Sequence, residues 1–353
     1  MKALLLAGGR GTRLRPLTDN IPKPMVPIMG KPLLERTILK LKESGIDEIV
    51  ISTCYKSNYI QNTIGDGHDL GIKVNYISED IPLGTGGAIK NSEKFFNDSF
   101  IILNSDIVCD IPYDKFIKYH KDKHAKVSIA MTKVKDPSQY GVIEFDKDNY
   151  ITAFKEKPKP GETNSKWINA GIYIFEPEVF HEIPENKVVS IEKNTYPLLL
   201  KKNYKMAAYQ YSDYWIDIGT IKKYITAHSD ILLKCYKNIA ERNKNFKIND
   251  LIIKGSNIKI DPSTKIIGPV FLGNNITINE NCKIGPYTVI GNNSNISSNC
   301  TIEKSILWNN IKIDENVNLK NTVITSNYRV KSYCSIENKA CVSNEYKNNL
   351  LAI

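Results

Sequence analysis

Three glycines and four cations crowd the opening of the chain. Gly8, Gly9 and Gly11 fall within four residues, and Arg10, Arg13, Arg15 and Lys23 within fourteen. Glycines let backbone N–H groups approach an anion closely. An arginine fork fits phosphate oxygens, and a lysine supplies a point charge. Together they describe a polyphosphate cradle. Two well-known cradles are excluded: no Gly-Lys-Ser/Thr follows, so this is no Walker loop, and Leu14 stands where the dinucleotide fingerprint needs its third glycine.

The elements that must hold this loop follow a regular rhythm. Residues 1 to about 220 alternate short apolar runs (Ala3–Ala7, Ile49–Thr53, Lys73–Ile77, Ser99–Asn104, Val127–Thr132) with amphipathic stretches such as Pro32–Ser44 and Gly86–Phe96. Strand and helix in alternation imply an α/β fold, a Rossmann-like, mostly parallel sheet with helices on both faces. Ligands of such sheets bind beyond the C-terminal strand ends, where the glycine loop lies.

After residue 250 the rhythm changes. Ile260, Ile266, Leu272, Ile278, Ile284, Ile290, Ile296 and Ile302 recur every six residues, each preceded two places earlier by a small or β-branched residue. That period fits a hexapeptide solenoid with coils of about 18 residues. Cys282 and Cys300, eighteen apart, belong in one interior column. The step from Ile302 to Ile313 is eleven, a one-residue deletion at a corner, and the period resumes at Leu319, Val330, Ile336 and Val342. The expected division is a catalytic domain over 1–232, a helix end and linker over 233–250, and the solenoid with its tail over 251–353. A Lys-rich helix, Ile221 to about Ile239, leads into the linker; its charge reads as a solvated face.

The run Leu5-Leu6-Ala7-Gly8-Gly9-Arg10-Gly11-Thr12-Arg13-Leu14-Arg15-Pro16-Leu17-Thr18, followed by Pro22-Lys23-Pro24-Met25-Val26-Pro27, resembles the opening of the sugar-phosphate nucleotidyltransferases. Several of these also carry a C-terminal left-handed β-helix. The likeness is greatest to mannose-1-phosphate guanylyltransferases. It implies that Leu6, Ala7, Gly8, Gly9, Gly11 and Thr12 hold the nucleotide, that Arg13 binds the triphosphate near the reacting phosphorus, and that Lys23 contacts phosphate. Glu79-Asp80-Ile81-Pro82-Leu83-Gly84-Thr85-Gly86-Gly87-Ala88 is similar to the family's base- and sugar-contacting loop, with Glu79, Pro82, Gly84 and Thr85 toward the nucleotide. Asp106, after Leu103-Asn104-Ser105, and Asp217, in Tyr214-Trp215-Ile216-Asp217-Ile218-Gly219, match its two magnesium ligands. Gly141, Glu156, Lys157 and Asn169 match its sugar-phosphate contacts, with Glu156 on hydroxyls and Lys157 on the phosphate. Thr85-Gly86-Gly87 departs from the Thr-Ala-Gly of mannose enzymes.

The chemistry those residues suit is substitution at the α-phosphorus of a nucleoside triphosphate by a sugar 1-phosphate. The nucleophile is already an anion, so no general base is required. The work is to align two anions and neutralise the leaving pyrophosphate. Arg13, Lys23 and Lys157 are the expected catalytic cations, and Mg²⁺ on Asp106 and Asp217 the expected metal. A carboxylate accepts the paired N1 and N2 donors of guanine, so Glu79 favours GTP; backbone groups of Leu6 and Ala7 offer the same acceptors. GTP with mannose 1-phosphate is the favoured pair, and heptose 1-phosphate, or a thymidylyl or uridylyl transfer, stays open.

Composition bounds the rest. The 353 residues suffice for about two domains. Lys+Arg minus Asp+Glu is 48 − 38 = +10, which suits an anionic partner. No apolar run approaches the ~18 residues of a membrane helix, and Gly8 cuts the first apolar run too short for a signal peptide. Seven cysteines without a CxxC pair read as reduced thiols in a cytoplasmic protein, with no zinc site. Acyl transfer on the solenoid would need a histidine, and His68, His120, His124, His181 and His228 all precede it. A silent scaffold homologue would lack some of Arg13, Lys23, Asp106 and Asp217, all of which are present. No nucleic-acid motif accompanies the charge, so neither nucleic acid nor membrane is an expected partner. The solenoid is read as an oligomerisation or regulatory element of a homo-oligomer.

Overall fold

The computed structural model describes residues 1–343; the end of the expected solenoid domain, 344–353, lies outside the described residues. The chain forms two compact units that interleave in sequence. One comprises Met1–Arg10, Pro22–Met25 and Leu33–Asp217, and the other Gly11–Ile21, Val26–Pro32 and the described residues from Ile218. Gly11–Ile21 and Val26–Pro32, which the sequence division assigns to the catalytic segment, thus cluster with the C-terminal half.

The first unit is built on a nine-stranded sheet. Its elements are β1 (Lys2–Leu6), α1 (Leu33–Glu43), β2 (Glu48–Thr53), α2 (Ser57–Ile64), β3 (Lys73–Ser78), α3 (Gly84–Asn91), β4 (Phe100–Asn104), β5 (Ile107–Cys109) and α4 (Tyr113–Lys123). There follow β6 (Val127–Lys133), β7 (Gly141–Phe145), β8 (Ile151–Glu156), β9 (Trp167–Phe175), α5 (Tyr196–Lys201), β10 (Met206–Gln210) and β11 (Trp215–Asp217). The strand order is β8-β7-β9-β4-β1-β2-β3, with β6 also beside β9 and β10 beside β6. Strands β4, β1, β2 and β3 are mutually parallel. Strand β9 runs antiparallel to β4, β6 and β7, so the sheet is mixed.

The uninterrupted apolar runs have a physical cause. Ala3, Leu4 and Leu5 of β1 are all fully buried, because a central strand is covered on both faces. Ala3 and Leu5 join a core layer with Leu34, Ile38 and Leu41 of α1, whereas Leu4 joins the opposite layer with Ile89 of α3. Helices therefore cover both faces. Helix α3 is shorter at its end than the sequence implies: Ser92 Oγ donates to Ile89 O (2.6 Å) and the chain passes into a 3₁₀ turn, Glu93–Phe95.

In the second unit the helix α6 (Ile221–Ala240) precedes a parallel β-helix of three stacked sheets. Ile278 lies over Ile296 and Ile284 over Ile302, eighteen residues apart. From there Ile296 pairs with Ile313 and Ile302 with Leu319, seventeen apart. The corner deletion is real, and later coils keep the shorter length, as Ile313 over Val330 shows; the same shortening puts Cys341, and not the expected Val342, over Ile324. Cys282 and Cys300 are buried among the stacked isoleucines. Asparagines fill the corners at positive φ, a conformation they tolerate. Their amides form a ladder, Asn275 to Asn293 to Asn310 to Asn327, with bonds of 2.9–3.1 Å. Among the described residues no helix is long and apolar enough to cross a membrane.

Candidate active site

The parallel register sets Leu6 beside Ser52 on one side and Asn104 on the other. The C-terminal ends of β1, β2 and β4 therefore open side by side, at the edge where parallel sheets bind ligands. The loops beyond them enclose a cleft of about 330 Å³. Leu6, Ala7, Gly8, Gly9, Lys23, Glu79, Pro82, Gly84, Thr85 and Asp106, all expected from sequence, line it. Gly11, Thr12 and Arg13 belong to the second unit, where Arg13 is exposed on the 3₁₀ turn Thr12–Leu14.

Lys23 is 8% exposed, and its ammonium meets Asp106 Oδ2 at 2.5 Å. A buried lysine needs such a counter-charge, and the pair puts one positive and one negative group on the cleft wall. In the same lining, Glu79 anchors the 80–84 loop. Its Oε1 accepts from Ser52 Oγ (2.9 Å) and its Oε2 from the Leu83 amide (3.0 Å). Two lone pairs per oxygen leave acceptor capacity beyond those bonds. The Ala7 N–H is committed to Ser52 O (2.8 Å), and Leu6 O accepts from the Ser105 amide (3.2 Å). Burial pushes the Cys54 thiol above its ordinary range, away from the thiolate a nucleophile would need.

The second carboxylate reaches the same region through an antiparallel pairing. Strand β11 pairs with β5 so that Asp217 lies opposite Ile107, the residue after Asp106. Asp217 Oδ1 accepts from Tyr140 Oη (3.0 Å), and the Tyr140 ring packs edge-on against Trp215 (5.9 Å). Trp215 Nε1 in turn donates to Ala170 O (2.9 Å).

Among the described residues no group of three or more His, Cys, Asp or Glu could hold a metal. Magnesium does not need one: it takes one or two carboxylates and completes its shell with phosphate oxygens and water. Asp106, already balanced by an ammonium, lies in the cleft wall, and Asp217 pairs in register with the residue that follows it; both are carboxylates of the kind magnesium takes.

Gly141, Glu156, Lys157 and Asn169 gather around β7, β8 and β9. Gly141 pairs with Glu156 across β7 and β8. A Cβ on Gly141 would stand 2.4 Å from Phe154 Cζ and 2.9 Å from Glu156 Oε2, so only glycine fits there. Burial, and then the Glu192 carboxylate, push the Glu156 carboxyl above its ordinary range. Lys157 takes a left-handed conformation (φ 49°) and is largely exposed, its Nζ 3.7 Å from Glu156. Asn169-Ala170-Gly171, which reads as a turn, is an irregularity inside β9: Asn169 Oδ1 accepts from the Gly171 amide (2.8 Å) and its Nδ2 donates to Tyr173 Oη (2.8 Å). None of Gly141, Glu156, Lys157, Asn169 and Asp217 is in the lining of the cleft.

Sequence reasoning missed Ser52, Cys54, Asn104 and Ser105 in that lining. Ser52 and Asn104 lie within the last two positions of β2 and β4, Cys54 and Ser105 just beyond those strands, and register brings Ser52 and Asn104 beside Leu6. It also missed Glu192, whose Oε2 accepts from Thr85 Oγ1 (3.1 Å) and Ser190 Oγ (2.8 Å) and so ties the nucleotide-side loop to the 190–195 turn. Nothing in the local sequence marks Glu192.

The profile described as nucleotidyl transferase matches residues 2–234, and that described as the EIF2B subunit epsilon LbH domain matches residues 249–348. The mannose-1-phosphate guanylyltransferase of Mycobacterium tuberculosis is 35% identical over 232 residues, 65% of this chain and 64% of that protein. The match thus spans just under two thirds of that relative's length. The mannose-1-phosphate guanyltransferase of Debaryomyces hansenii is 36% identical over 272 residues, 75% of this chain and 73% of its own. The crystal structure of HddC from Yersinia pseudotuberculosis complexed with GMP-PN superposes with a TM-score of 0.56 at 35% identity, covering 65% of this chain and 99% of that one. With the first profile matching well over half of its residues, the chain belongs to the nucleotidyl transferase family.

Proposed function

We propose that the protein joins a sugar 1-phosphate to a nucleoside triphosphate, releasing pyrophosphate, with GTP and mannose 1-phosphate as the favoured substrates. The observation that carries this reading is the cleft where the Gly8–Gly9 loop, the Lys23–Asp106 pair and the Glu79-anchored loop converge at three parallel strand ends.

In the proposed reaction an oxygen of the sugar phosphate forms a bond to the α-phosphorus, and the bond from that phosphorus to the β-phosphate bridging oxygen breaks. Both leaving group and nucleophile are anions, so no proton need move. Lys23 neutralises charge on the triphosphate, and Arg13 contributes a bidentate contact to it. Lys157, exposed at the end of β8, offsets repulsion between the two substrates, while Glu156 and Asn169 meet sugar hydroxyls beside the open backbone of Gly141. Asp106 and Asp217 would hold Mg²⁺, which when bound supplies charge neutralisation at the phosphate oxygens. Glu79 favours guanine because its carboxylate is fixed at the cleft wall by Ser52 and Leu83 and still has lone pairs for paired donors.

Heptose 1-phosphate is the second reading for the sugar. It is left open by Gly86, the departure from Thr-Ala-Gly, where a Cβ would meet Val189 Cγ1 at 2.7 Å. The same proposal has a homo-oligomer acting in the cytoplasm, with 1–232 as the catalytic segment, 233–250 as linker and 251–353 as the solenoid and tail. A matrix of GTP, dTTP and UTP against mannose, glucose and heptose 1-phosphates, read by coupled pyrophosphate detection, tests the substrates. Preference for dTTP or UTP over GTP would overturn the base assignment.

A further inference from the structure

Within the first unit, Glu192 sits in the turn Ile191–Thr195, which packs against both α3 and β8. The Tyr196 amide donates to Ile191 O, five residues back, so the chain is wound there as a single π turn. Such turns recur at functional sites. The two elements it touches belong to different substrate sides: Gly84 and Thr85 at the start of α3 line the cleft, and β8 ends in Glu156.

The stretch leading into the turn is laid along the start of α3. The Val189 amide donates to Leu83 O (2.9 Å) and the Gly86 amide to Val189 O (2.9 Å). A Cβ on Gly84 would stand 2.6 Å from Val189 O, and one on Gly87 2.8 Å from Lys187 O, so glycine admits this close approach. Thr85 closes the seam with its hydroxyl, which accepts from the Ile191 amide (3.1 Å) and donates to Glu192 Oε2 (3.1 Å). Ser190 Oγ donates to the same carboxylate oxygen (2.8 Å). Bonds to an ionised acceptor are the stronger kind, so Glu192 is the anchor of the seam.

The same carboxylate bears on the sugar side. Glu156 feels Glu192 and Lys193 from the turn and Lys157 from the end of its own strand. Burial first, and then Glu192, favour a proton on the Glu156 carboxyl, and the two lysines oppose them.

We propose that Glu192 is a positioning residue that serves both substrates: through Thr85 it holds the 83–87 segment at the nucleotide cleft, and its charge beside β8 conditions how Glu156 receives a sugar hydroxyl. This deepens the nucleotidyltransferase reading above, on which its kinetic arms rest.

The test uses the full chain with Thr85→Val, Thr85→Ser, Glu192→Ala, Glu192→Gln and the Thr85→Val/Glu192→Ala double variant. Pyrophosphate release and backbone hydrogen exchange are measured on each. Thr85→Val and Glu192→Ala should each raise KM for the triphosphate about tenfold, the scale of one lost hydrogen bond to a charged group. The double variant should add less than about twofold, because both break one link. Thr85→Ser and Glu192→Gln keep the hydroxyl and the acceptor oxygen and should stay within about twofold of wild type. The charge is read separately. In Glu192→Gln burial of Glu156 is opposed by Lys157 and Lys193 without the second carboxylate, so the acid limb of kcat/KM for the sugar phosphate should move to lower pH. Titration of the sugar phosphate itself is common to both proteins and cancels in the comparison. A wild-type triphosphate KM in Glu192→Ala, a Glu192→Gln as impaired as Glu192→Ala, or an unmoved acid limb overturns the proposal. If the wild-type protein turns over no substrate pair, the enzymatic reading fails instead. Hydrogen exchange then decides the tether: the Gly86 and Val189 amides should quicken in Glu192→Ala and not in Glu192→Gln, and equal exchange in the two overturns it.

Discussion

Replacing Asp106 by Asn separates catalysis from stability at a single position. In the wild type Asp106 Oδ2 meets Lys23 Nζ, with Lys23 nearly buried and the Asp106 side chain about one third exposed (34%). Removing a partner from a fully buried pair costs about 3–5 kcal/mol. Here the amide keeps an oxygen acceptor for the ammonium, and the aspartate is partly hydrated, so a loss of about 1–2 kcal/mol is expected. For a unit of this size that lowers Tm by about 2–8 °C, which leaves the protein folded against a typical stability of about 5–15 kcal/mol. The rate should respond far more. A preorganised electrostatic contact to the transition state is worth about 10²–10³ in kcat, or about 3–4 kcal/mol. The assay is coupled pyrophosphate release at saturating substrates and Mg²⁺, with thermal unfolding followed in parallel. A kcat within tenfold of wild type, with the fold intact, would refute the role given to Asp106.

Three further perturbations follow from the geometry. Gly141→Ala should raise KM for the sugar phosphate at least about tenfold, because its Cβ would meet Phe154 and Glu156 within 3 Å; an unchanged KM in steady-state kinetics would remove Gly141 from the sugar site. Glu79→Ala frees the Leu83 amide and Ser52 Oγ, so KM for the triphosphate should rise and hydrogen exchange over 80–85 quicken; a KM equal to wild type would count against the loop-anchoring role. His120 is buried between Ser128 Oγ (2.7 Å) and Glu176 Oε1 (3.0 Å), and burial holds its pKa below the ordinary value of 6.5. As pH falls below 6.5 the unfolded chain binds the proton first, so this contribution is fully present above pH 6.5 and drains away toward the lowered folded value. Urea unfolding from pH 7 to pH 5 should therefore show a steeper loss of stability in wild type than in His120→Phe, and parallel slopes would contradict it.

The β-helix was almost wholly legible because its signal is one-dimensional: a side chain every six residues points inward whatever the rest of the chain does. Even the missing residue between Ile302 and Ile313 appears in the fold as a change of stacking interval from eighteen to seventeen. The glycine loop and Lys23 were legible for a similar reason, since close anion approach and compact charge demand particular residue types at short range. The antiparallel placement of β9 was not. Its hydrophobic run, Trp167–Phe175, looks the same whichever way a neighbouring strand runs, and only pairing with β4 and β6 fixes the direction. Ser52 and Asn104 were missed because they become neighbours of Leu6 only through register. Tyr224 and Trp308 read as ordinary core residues, and nothing short of the folded chain shows the Tyr224 hydroxyl donating to the Pro27 carbonyl, 197 positions away in sequence, while accepting from Trp308 Nε1.

The most direct measurement follows the fate of each phosphate. With GTP labelled at the α-phosphorus and mannose 1-phosphate as acceptor, the label should appear in a nucleoside-diphosphate sugar; with label at the γ-phosphorus it should appear in pyrophosphate. Label from the γ-position in inorganic phosphate or in a doubly phosphorylated sugar, with none of the α-label in a sugar nucleotide, would contradict the account.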